Sequence, residues 1–330
     1  MNQEIFFSII VPIYNSQEFI LDTLKSISNI NYKNFEVLLV NDGSTDNTEL
    51  IISNYIKDDS RFRLLQQVNS GPNIARNLAI DNAKGEYLLF LDSDDIFKKN
   101  LLSKLNAILT NNQYDLINFG YEFKNFKKNK VISKSNFKNQ VLHNESILKS
   151  SFLPGGISGV CWNKCFRKDL ILKNKIYFTP DRMHGRDILF SRSFSYYSTL
   201  ALIIPDILVI SRYRNGSYSR NFSEKNIESA IDLVKKHKII FSGKLSNSQI
   251  NDLNIAIARH LRYIHILNAF RTKNHSEFLK NHNLLLKNSK TEVKKSKNSF
   301  KLQLIDQILN HPNLLRIICV IMKKFGYQPY

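Results

Sequence analysis

The stretch Leu89-Phe90-Leu91-Asp92-Ser93-Asp94-Asp95 sets three apolar residues directly against three carboxylates within four positions. A buried strand that empties onto clustered negative charge is costly unless something positive sits at its end. A divalent cation is the natural occupant, because hard ions such as Mg²⁺ take oxygen ligands and commonly keep phosphates as the remaining ones. A solvated turn, with one Asp capping the next helix, accounts for the same string equally well. The chain on either side decides between these readings.

Upstream, Phe7 to Ile13 is a continuous apolar run followed by Tyr14-Asn15, the pattern of a strand buried on both faces. Asn15 with Glu18 predicts a capping box, ahead of a helix that faces inward through Phe19, Ile20, Leu24 and Ile27. A second strand, Glu36 to Val40, ends at Asn41-Asp42-Gly43-Ser44-Thr45-Asp46. Asp46 and Glu49 repeat the capping signal before a helix lined by Leu50, Ile51, Tyr55 and Ile56. A short strand at Phe62–Leu65 leads through Asn69-Ser70-Gly71-Pro72-Asn73 into a helix carrying Ile74, Leu78 and Ala79. Gly85 then turns the chain into the strand Tyr87–Leu91.

Strand–helix alternation with short connections implies a parallel sheet with helices on both faces. Ligands bind such sheets outside the carboxyl ends of the strands. Tyr14-Asn15, Asp42-Gly43-Ser44 and Asp92-Ser93-Asp94 all fall at those ends and converge on one crevice. Neither Gly-x-Gly-x-x-Gly after the first strand nor Gly-x4-Gly-Lys-Ser/Thr occurs, which removes the main support for a dinucleotide or P-loop site.

Further on, the pattern predicts a helix near Leu101–Leu109, a strand at Leu116–Phe119 and an exposed, lysine-rich hairpin or loop over 124–138. Residues 154–197 read as mixed structure ending in a helix, Arg186 to Tyr197. Leu200–Ile204 and Leu208–Tyr213 read as short strands. From Glu224 the apolar residues recur at helical intervals (Ile227, Ile231, Val234; Ile257, Leu261, Ile264), so a boundary is placed near 222.

With 43% hydrophobic residues, 11 Gly and 7 Pro, this is the composition of a globular protein. Cys161, Cys165 and Cys319 make no disulfide framework, and Cys161-x3-Cys165 without partners is a poor metal signature. No secretory leader is visible and no run approaches the roughly 20 apolar residues that span a bilayer, so a cytoplasmic protein is expected. The net charge of +19 is unevenly spread. Residues 1–100 carry 9 Lys and Arg against 14 Asp and Glu, whereas 101–222 and 223–330 each carry 19 against 7. Such a basic rear surface would draw nucleic acid, anionic lipid or an anionic substrate, and charge alone does not choose among them.

Four motifs now stand in order: Ser8-Ile9-Ile10-Val11-Pro12-Ile13-Tyr14-Asn15, Asn41-Asp42-Gly43-Ser44-Thr45-Asp46, Gly71-Pro72-Asn73-Ile74-Ala75-Arg76-Asn77, and Gly85-Glu86-Tyr87 running into Phe90-Leu91-Asp92-Ser93-Asp94-Asp95. At this spacing the N-terminal half resembles the family 2 glycosyltransferases of the GT-A fold, the group that includes bacterial capsule, lipopolysaccharide and O-antigen sugar transferases. The resemblance covers about residues 6–96, with weaker echoes to 219. It implies an α/β, Rossmann-like and mostly parallel sheet flanked by helices, with a C-terminal helical extension. A catalytic domain would occupy 1–222, its nucleotide-binding half about 1–120 and its acceptor half about 121–222. A basic helical region would follow at 223–330, suited to membrane or homo-oligomer contact.

The resemblance also implies residue roles. Pro12, Tyr14 and Asp42 would meet uracil or ribose, Arg76 would lie near the base or diphosphate, and Asp92 and Ser93 would reach the ribose. Asp94, last of the Asp-x-Asp motif, would bind Mn²⁺ or Mg²⁺ bridging the phosphates, with Asp95 or His184 as further candidate ligands. Plainer alternatives are Asp42 as a turn former before Gly43 and Arg76 as a solvated helix charge. An inverting member needs a base for the acceptor hydroxyl. Relatives often carry Glu-Asp at a helix start, and here His184-Gly185-Arg186-Asp187-Ile188-Leu189-Phe190 offers Asp187 as that base, with Arg186 as a departure. Asp187 as a helix-dipole partner is the alternative. Tyr213-Arg214-Asn215-Gly216-Ser217 is similar to an arginine-and-serine segment that closes on the donor diphosphate, through Arg214 and Ser217; Asn215-Gly216 is also a hairpin signal. Trp162 is either an acceptor-side stacking surface or a core residue.

The expectation is therefore an inverting, metal-dependent transfer of a sugar from a nucleotide donor, a UDP-sugar being favoured, to a cell-surface glycan or lipid-linked acceptor on the inner face of the plasma membrane. Leu314 to Lys324 would lie in an anionic interface, or pack on its own domain or a second copy. No nucleic-acid partner is expected. Two rivals stay open. A sugar nucleotidyltransferase would want a Gly-rich basic loop where Tyr14-Asn15-Ser16-Gln17 stands. A non-catalytic nucleic-acid or anion binder would want aromatic residues interleaved with basic ones in a binding module, whereas this crevice is acidic.

Overall fold

The computed structural model describes residues 4–181, 183, 185–213, 224–295 and 308–324. The first strand, β1 (Phe7–Ile13), is buried at every position, as is β2 (Phe35–Asn41), because helices cover both faces of the sheet. They alternate with α1 (Ile20–Ser28), α2 (Thr48–Ile56), β3 (Phe62–Gln66), α3 (Pro72–Asn82) and β4 (Tyr87–Phe90). There follow β5 (Ile96–Phe97), α4 (Leu101–Leu109), β6 (Leu116–Asn125), β7 (Lys130–Lys134), β8 (Gln140–His143), α5 (Glu145–Ser151), β9 (Lys164–Arg167), α6 (Lys168–Lys173), α7 (Arg186–Tyr197) and β10 (Leu200–Arg212).

These strands form one sheet in the order β3-β2-β1-β4-β9-β6-β10-β5, with β7 on β6 and β8 on β10. The expected parallel pairing runs through β3, β2, β1 and β4 and returns between β6 and β10. Between these blocks β9 lies antiparallel to both β4 and β6. The chain winds outward from β1 to β2 and β3, then crosses back to β4, so strand order reverses between β1 and β4. That reversal is the switch point where such sheets open a crevice. Register levels the strand ends there. Ile13 pairs with Asn41 and Asn41 with Gln66, while Phe90 lies beside Ile10 and brings Asp92 up to the end of β1.

Alternation along β1 feeds two cores. Phe7, Ile9, Val11 and Ile13 pack with Ile20 and Leu24 of α1 and Leu101 and Leu105 of α4, and Ile10 packs with Ala75 and Ala79 of α3 and Phe190 and Phe194 of α7.

Three local expectations are corrected. Leu50, expected among the residues lining α2, is 62% exposed, and Ile52 is buried in its place. The capping box at Asn15 and Glu18 does not form. Asn15 sits at φ 44°, a region Asn tolerates, and its Oδ1 accepts the Thr45 amide at 2.8 Å, so the helix starts later, at Ile20. The two short strands predicted over 200–213 are one, β10, whose register shifts between Ile203 and Val209. Pro205 lies within that shift, where its missing N–H is tolerated.

Chain contacts resolve into two compact units, the first built on this sheet and the second on the helices that follow. The second unit holds α8 (Glu224–Ile240), α9 (Asn247–Arg271), α10 (His275–Lys295) and α11 (Pro312–Lys324). Ser246 opens α9 with a capping box to Gln249. Phe270, Phe278, Leu309, Leu315 and Cys319 form its core, while Leu314, Ile317, Val320 and Ile321 of α11 stay exposed. None of the described helices is long and apolar enough to cross a membrane.

Candidate active site

The crevice begins where β1 and β2 end. Pro12 is buried within β1, and Tyr14, just past the strand, is 48% exposed. Asp42 is 3% exposed, and both its carboxylate oxygens receive protein donors. Oδ1 accepts Gln67 Nε2 and the Ser70 amide, each at 2.7 Å, and Oδ2 accepts the Gly71 amide at 2.8 Å. Gly71 adopts φ 98°, open only to glycine at low cost, and so presents that amide while starting α3. Asp42 thus stitches the end of β2 to the entry of α3, a role reaching beyond its own turn.

Arg76 is not a solvated helix charge. It is 8% exposed, lies over the Phe178 ring at 5.4 Å, and donates from Nη2 to Asp92 Oδ1 at 2.8 Å. The ion pair crosses from α3 to the end of β4. Asp92 keeps its second oxygen toward the crevice, its side chain being 39% exposed. Ser93 bridges the switch point: its Oγ meets Ser16 Oγ at 2.6 Å, and its carbonyl accepts Thr23 Oγ1 at 3.0 Å.

Asp94 and Asp95 diverge. Asp94 is half-buried at the crevice, and its carbonyl accepts Arg212 Nε at 3.0 Å. Asp95 is 3% exposed and accepts the Arg212 amide at 2.8 Å. Burial pushes the Asp95 carboxyl well up, and the neighbouring charges of Asp94 and Asp92 push it further. Arg212 is the residue sequence reasoning missed here. Its guanidinium also pairs with Asp22 at 2.9 Å and stacks over Phe126 at 4.1 Å, so the end of β10 clamps the acidic loop from the side.

Among the described residues no three His, Cys, Asp or Glu side chains form a metal-holding group. Asp94 is half-buried in a loop it shares with the carboxylates of Asp92 and Asp95, oxygen donors of the kind a hard cation takes.

The opposite wall is α7. Phe190 and Phe194 anchor it: Phe190 stacks on Phe178 at 4.1 Å and meets Phe90 and Phe166 edge-on, and Phe194 meets Phe166 at 5.0 Å. The segment before α7 is laced to α3, with Asn77 Nδ2 donating to the Phe178 carbonyl and Asn73 Nδ2 to that of Asp181, both at 2.8 Å. This packing sets Asp187 in the first turn, one turn ahead of Phe190. Its carboxyl is raised above the usual range by burial, Arg76 opposing and Asp92 adding to the rise. Arg186, the departure from the family pattern, is 2% exposed and pairs with Asp181 at 2.5 Å.

Lys164, to which no role was assigned from the sequence, is wholly buried behind this wall. Trp162 packs in the core, edge-on to Tyr121 at 5.0 Å and to Phe123 at 6.1 Å. His184, Arg214 and Ser217 lie outside the described residues.

A switch-point crevice with an acidic loop on one side and a recessed carboxylate on the other is the architecture of a GT-A glycosyltransferase. Glycosyl transferase family 2 matches residues 8–173, half of the chain, and the protein belongs to that family. Glycosyltransferase GlyG of Streptococcus pneumoniae serotype 4 is 28% identical over 272 residues, covering 80% of this chain and 87% of GlyG. The uncharacterized glycosyltransferase EpsJ of Bacillus subtilis is 26% identical over 285 residues, covering 83% and 80%. Among solved structures, S. aureus TarS 1–349 in complex with UDP-GlcNAc is similar at a TM-score of 0.71 and 21% identity, over 98% of this chain and 93% of that one. The mannosyltransferase PcManGT from Pyrobaculum calidifontis, in complex with GDP-Man and Mn²⁺, is similar at 0.57 and 17%, over 99% and 89%.

Proposed function

We propose that the enzyme transfers a sugar from a nucleotide donor, UDP-linked by preference, to a glycan or lipid-linked acceptor with inversion at the anomeric carbon. The observation that carries this reading is the recessed Asp187 carboxyl, which shares the electrostatic field of Arg76 and Asp92 at the crevice. A carboxyl raised toward the working pH suits a general base. Asp187 takes the proton of the acceptor hydroxyl as that oxygen bonds to the anomeric carbon, and the bond to the donor diphosphate breaks with its electrons. Arg76 holds one oxygen of Asp92, which leaves the other for a ribose hydroxyl. Tyr14 offers an exposed ring at the base end of the crevice. Asp94 would hold Mn²⁺ or Mg²⁺, which supplies charge neutralisation on the leaving diphosphate. Arg214 and Ser217 are assigned to the same diphosphate.

The UDP-GlcNAc of the TarS complex and the Mn²⁺ of the PcManGT complex support a nucleotide-sugar donor and a divalent ion. The exposed apolar residues of α11, flanked by Arg316, Lys323 and Lys324, suit peripheral contact with an anionic membrane at the cytoplasmic face. A thermal-shift panel of UDP, GDP and their sugars, with and without Mn²⁺, tests the donor. A Mn²⁺-dependent rise in Tm with UDP compounds is expected, because a ligand that binds only the folded state stabilises it. No shift with any nucleotide would overturn the reading.

A further inference from the structure

Lys164 opens β9 and is 0% exposed. Its Nζ donates to Ser158 Oγ at 2.8 Å, to Asn163 Oδ1 at 3.0 Å and to the Val160 carbonyl. All three acceptors are neutral. A buried ammonium with no carboxylate in hydrogen-bond contact among the described residues is an expensive arrangement, which folds retain where the charge has another use. The carboxylate whose charge reaches it is that of Asp187.

The segment this lysine holds is the one against which α7 rests. The Val160 carbonyl also accepts Ser191 Oγ at 3.4 Å, and Ser191 lies one helical turn beyond Asp187. Gly159 approaches Ile188 so closely that a Cβ there would stand 2.9 Å from its side chain. From below, Asn118 Oδ1 accepts the amide and hydroxyl of Ser158, each at 3.2 Å, and Asn163 Nδ2 donates to the Phe119 carbonyl at 2.8 Å. The Lys164 ammonium is therefore the node that joins the first half of β6, the 158–160 segment and the first turn of α7.

We propose that Lys164 is a positioning residue for Asp187: it seats the 158–160 segment against α7 and lends a buried positive charge that keeps the Asp187 carboxyl ionised as the base. This rests on the reading of Asp187 given above. Among the described residues, the other titratable groups facing Asp187 are Arg76 on α3, Asp92 beyond β4 and Cys161 ahead of β9. The Cys161 thiol is pushed up to about 12 by burial and contributes no charge at neutral pH. Arg186 beside it is paired with Asp181. Burial also pulls the Lys164 ammonium down to about 7, so its charge is present below that pH and fades above it. The effect on Asp187 is thus felt on the acid side.

The test is the pH profile of metal-dependent hydrolysis of the UDP-sugar that gives the largest thermal shift, in wild type, Lys164→Met and Lys164→Arg. In Lys164→Met the acid limb of kcat moves up by about one pH unit, which is a tenfold loss on that limb, with donor KM within about twofold. Lys164→Arg keeps the limb in place. If Lys164→Met leaves the limb unmoved while Asp187→Asn abolishes turnover, the proposal is overturned and the base assignment stands. If Asp187→Asn retains turnover, the base assignment itself falls. Should Lys164→Met fail to fold, Lys164→Gln, which keeps an N–H for the same oxygens without the charge, carries the same test.

Discussion

At the amino edge of the sheet, Glu36 accepts Ser8 Oγ at 2.7 Å, the Lys84 amide at 2.5 Å and Arg63 Nη1 at 3.1 Å. Asp115, on the same edge, accepts the amide and hydroxyl of Thr199 at 2.6 and 2.9 Å and pairs with Arg167 at 2.8 Å. Each carboxylate there is surrounded by donors from distant parts of the chain and joins them. At the carboxyl edge Asp42 is bonded in the same way, but beyond β4 the carboxylates crowd one another. Burial raises Asp95 and the charges of Asp94 and Asp92 add to it, and Asp92 adds to the burial that raises Asp187. Burying like charges together lowers stability, and a fold keeps such an arrangement where a ligand or a proton compensates it. Glu36 and Asp115 tie distant segments together, whereas the 92–95 loop gathers negative charge.

The largest expected departure between the edges is in turnover. Asp187→Asn should lower kcat by about 10²–10⁴-fold, the usual contribution of a positioned base, with Tm nearly unchanged. Because the Asp187 carboxyl is raised, wild-type activity should fall as pH drops through a value above the ordinary carboxylate range, and a limb near 4 would break the comparison. Next, Asp94→Ala should remove the Mn²⁺-dependent part of the nucleotide thermal shift and lower turnover roughly 10²–10³-fold, as loss of one charge-stabilising group does. The amino edge answers differently. Asp115→Ala leaves the Thr199 and Leu200 amides without their acceptor and should cost about 2–4 kcal/mol in chemical denaturation, with kcat per folded molecule unchanged. The smallest effect is expected at Asp95. Asp95→Asn keeps an acceptor for the Arg212 amide and a neutral side chain, the form that burial already favours there, so Tm should hold or rise by a few degrees and the Mn²⁺ response should persist. A lost Mn²⁺ response would make Asp95 a ligand.

Much of the first unit could be read from residue patterns. Continuous apolar runs marked β1 and β2, and helical spacing placed α4 and α7 at their observed bounds. The crevice motifs were readable because each is contiguous in the chain and falls just past a strand. The insertion of β9 antiparallel between β4 and β6 was not, since nothing in Lys164–Arg167 announces its neighbours. Asn15 misled because a capping pattern competes with a tertiary partner, Thr45, that local reasoning does not see.

Local order in the chain settled which segments become strands and helices and where the carboxylates gather, because period, capping and strand-end position act over a few residues. Folding settled what each charge does there. Lys164 looks like an ordinary surface cation in the sequence and Arg212 is one more basic residue in a basic chain, while Arg76 stood out only through its motif, without its partner. Their burial and their partners, Asp92, the Val160 carbonyl and Asp94, exist only once strands remote in the chain share one edge. Desolvation and charge proximity are properties of that shared edge, which is why the acidic loop was visible early and the ion pairs that surround it were not.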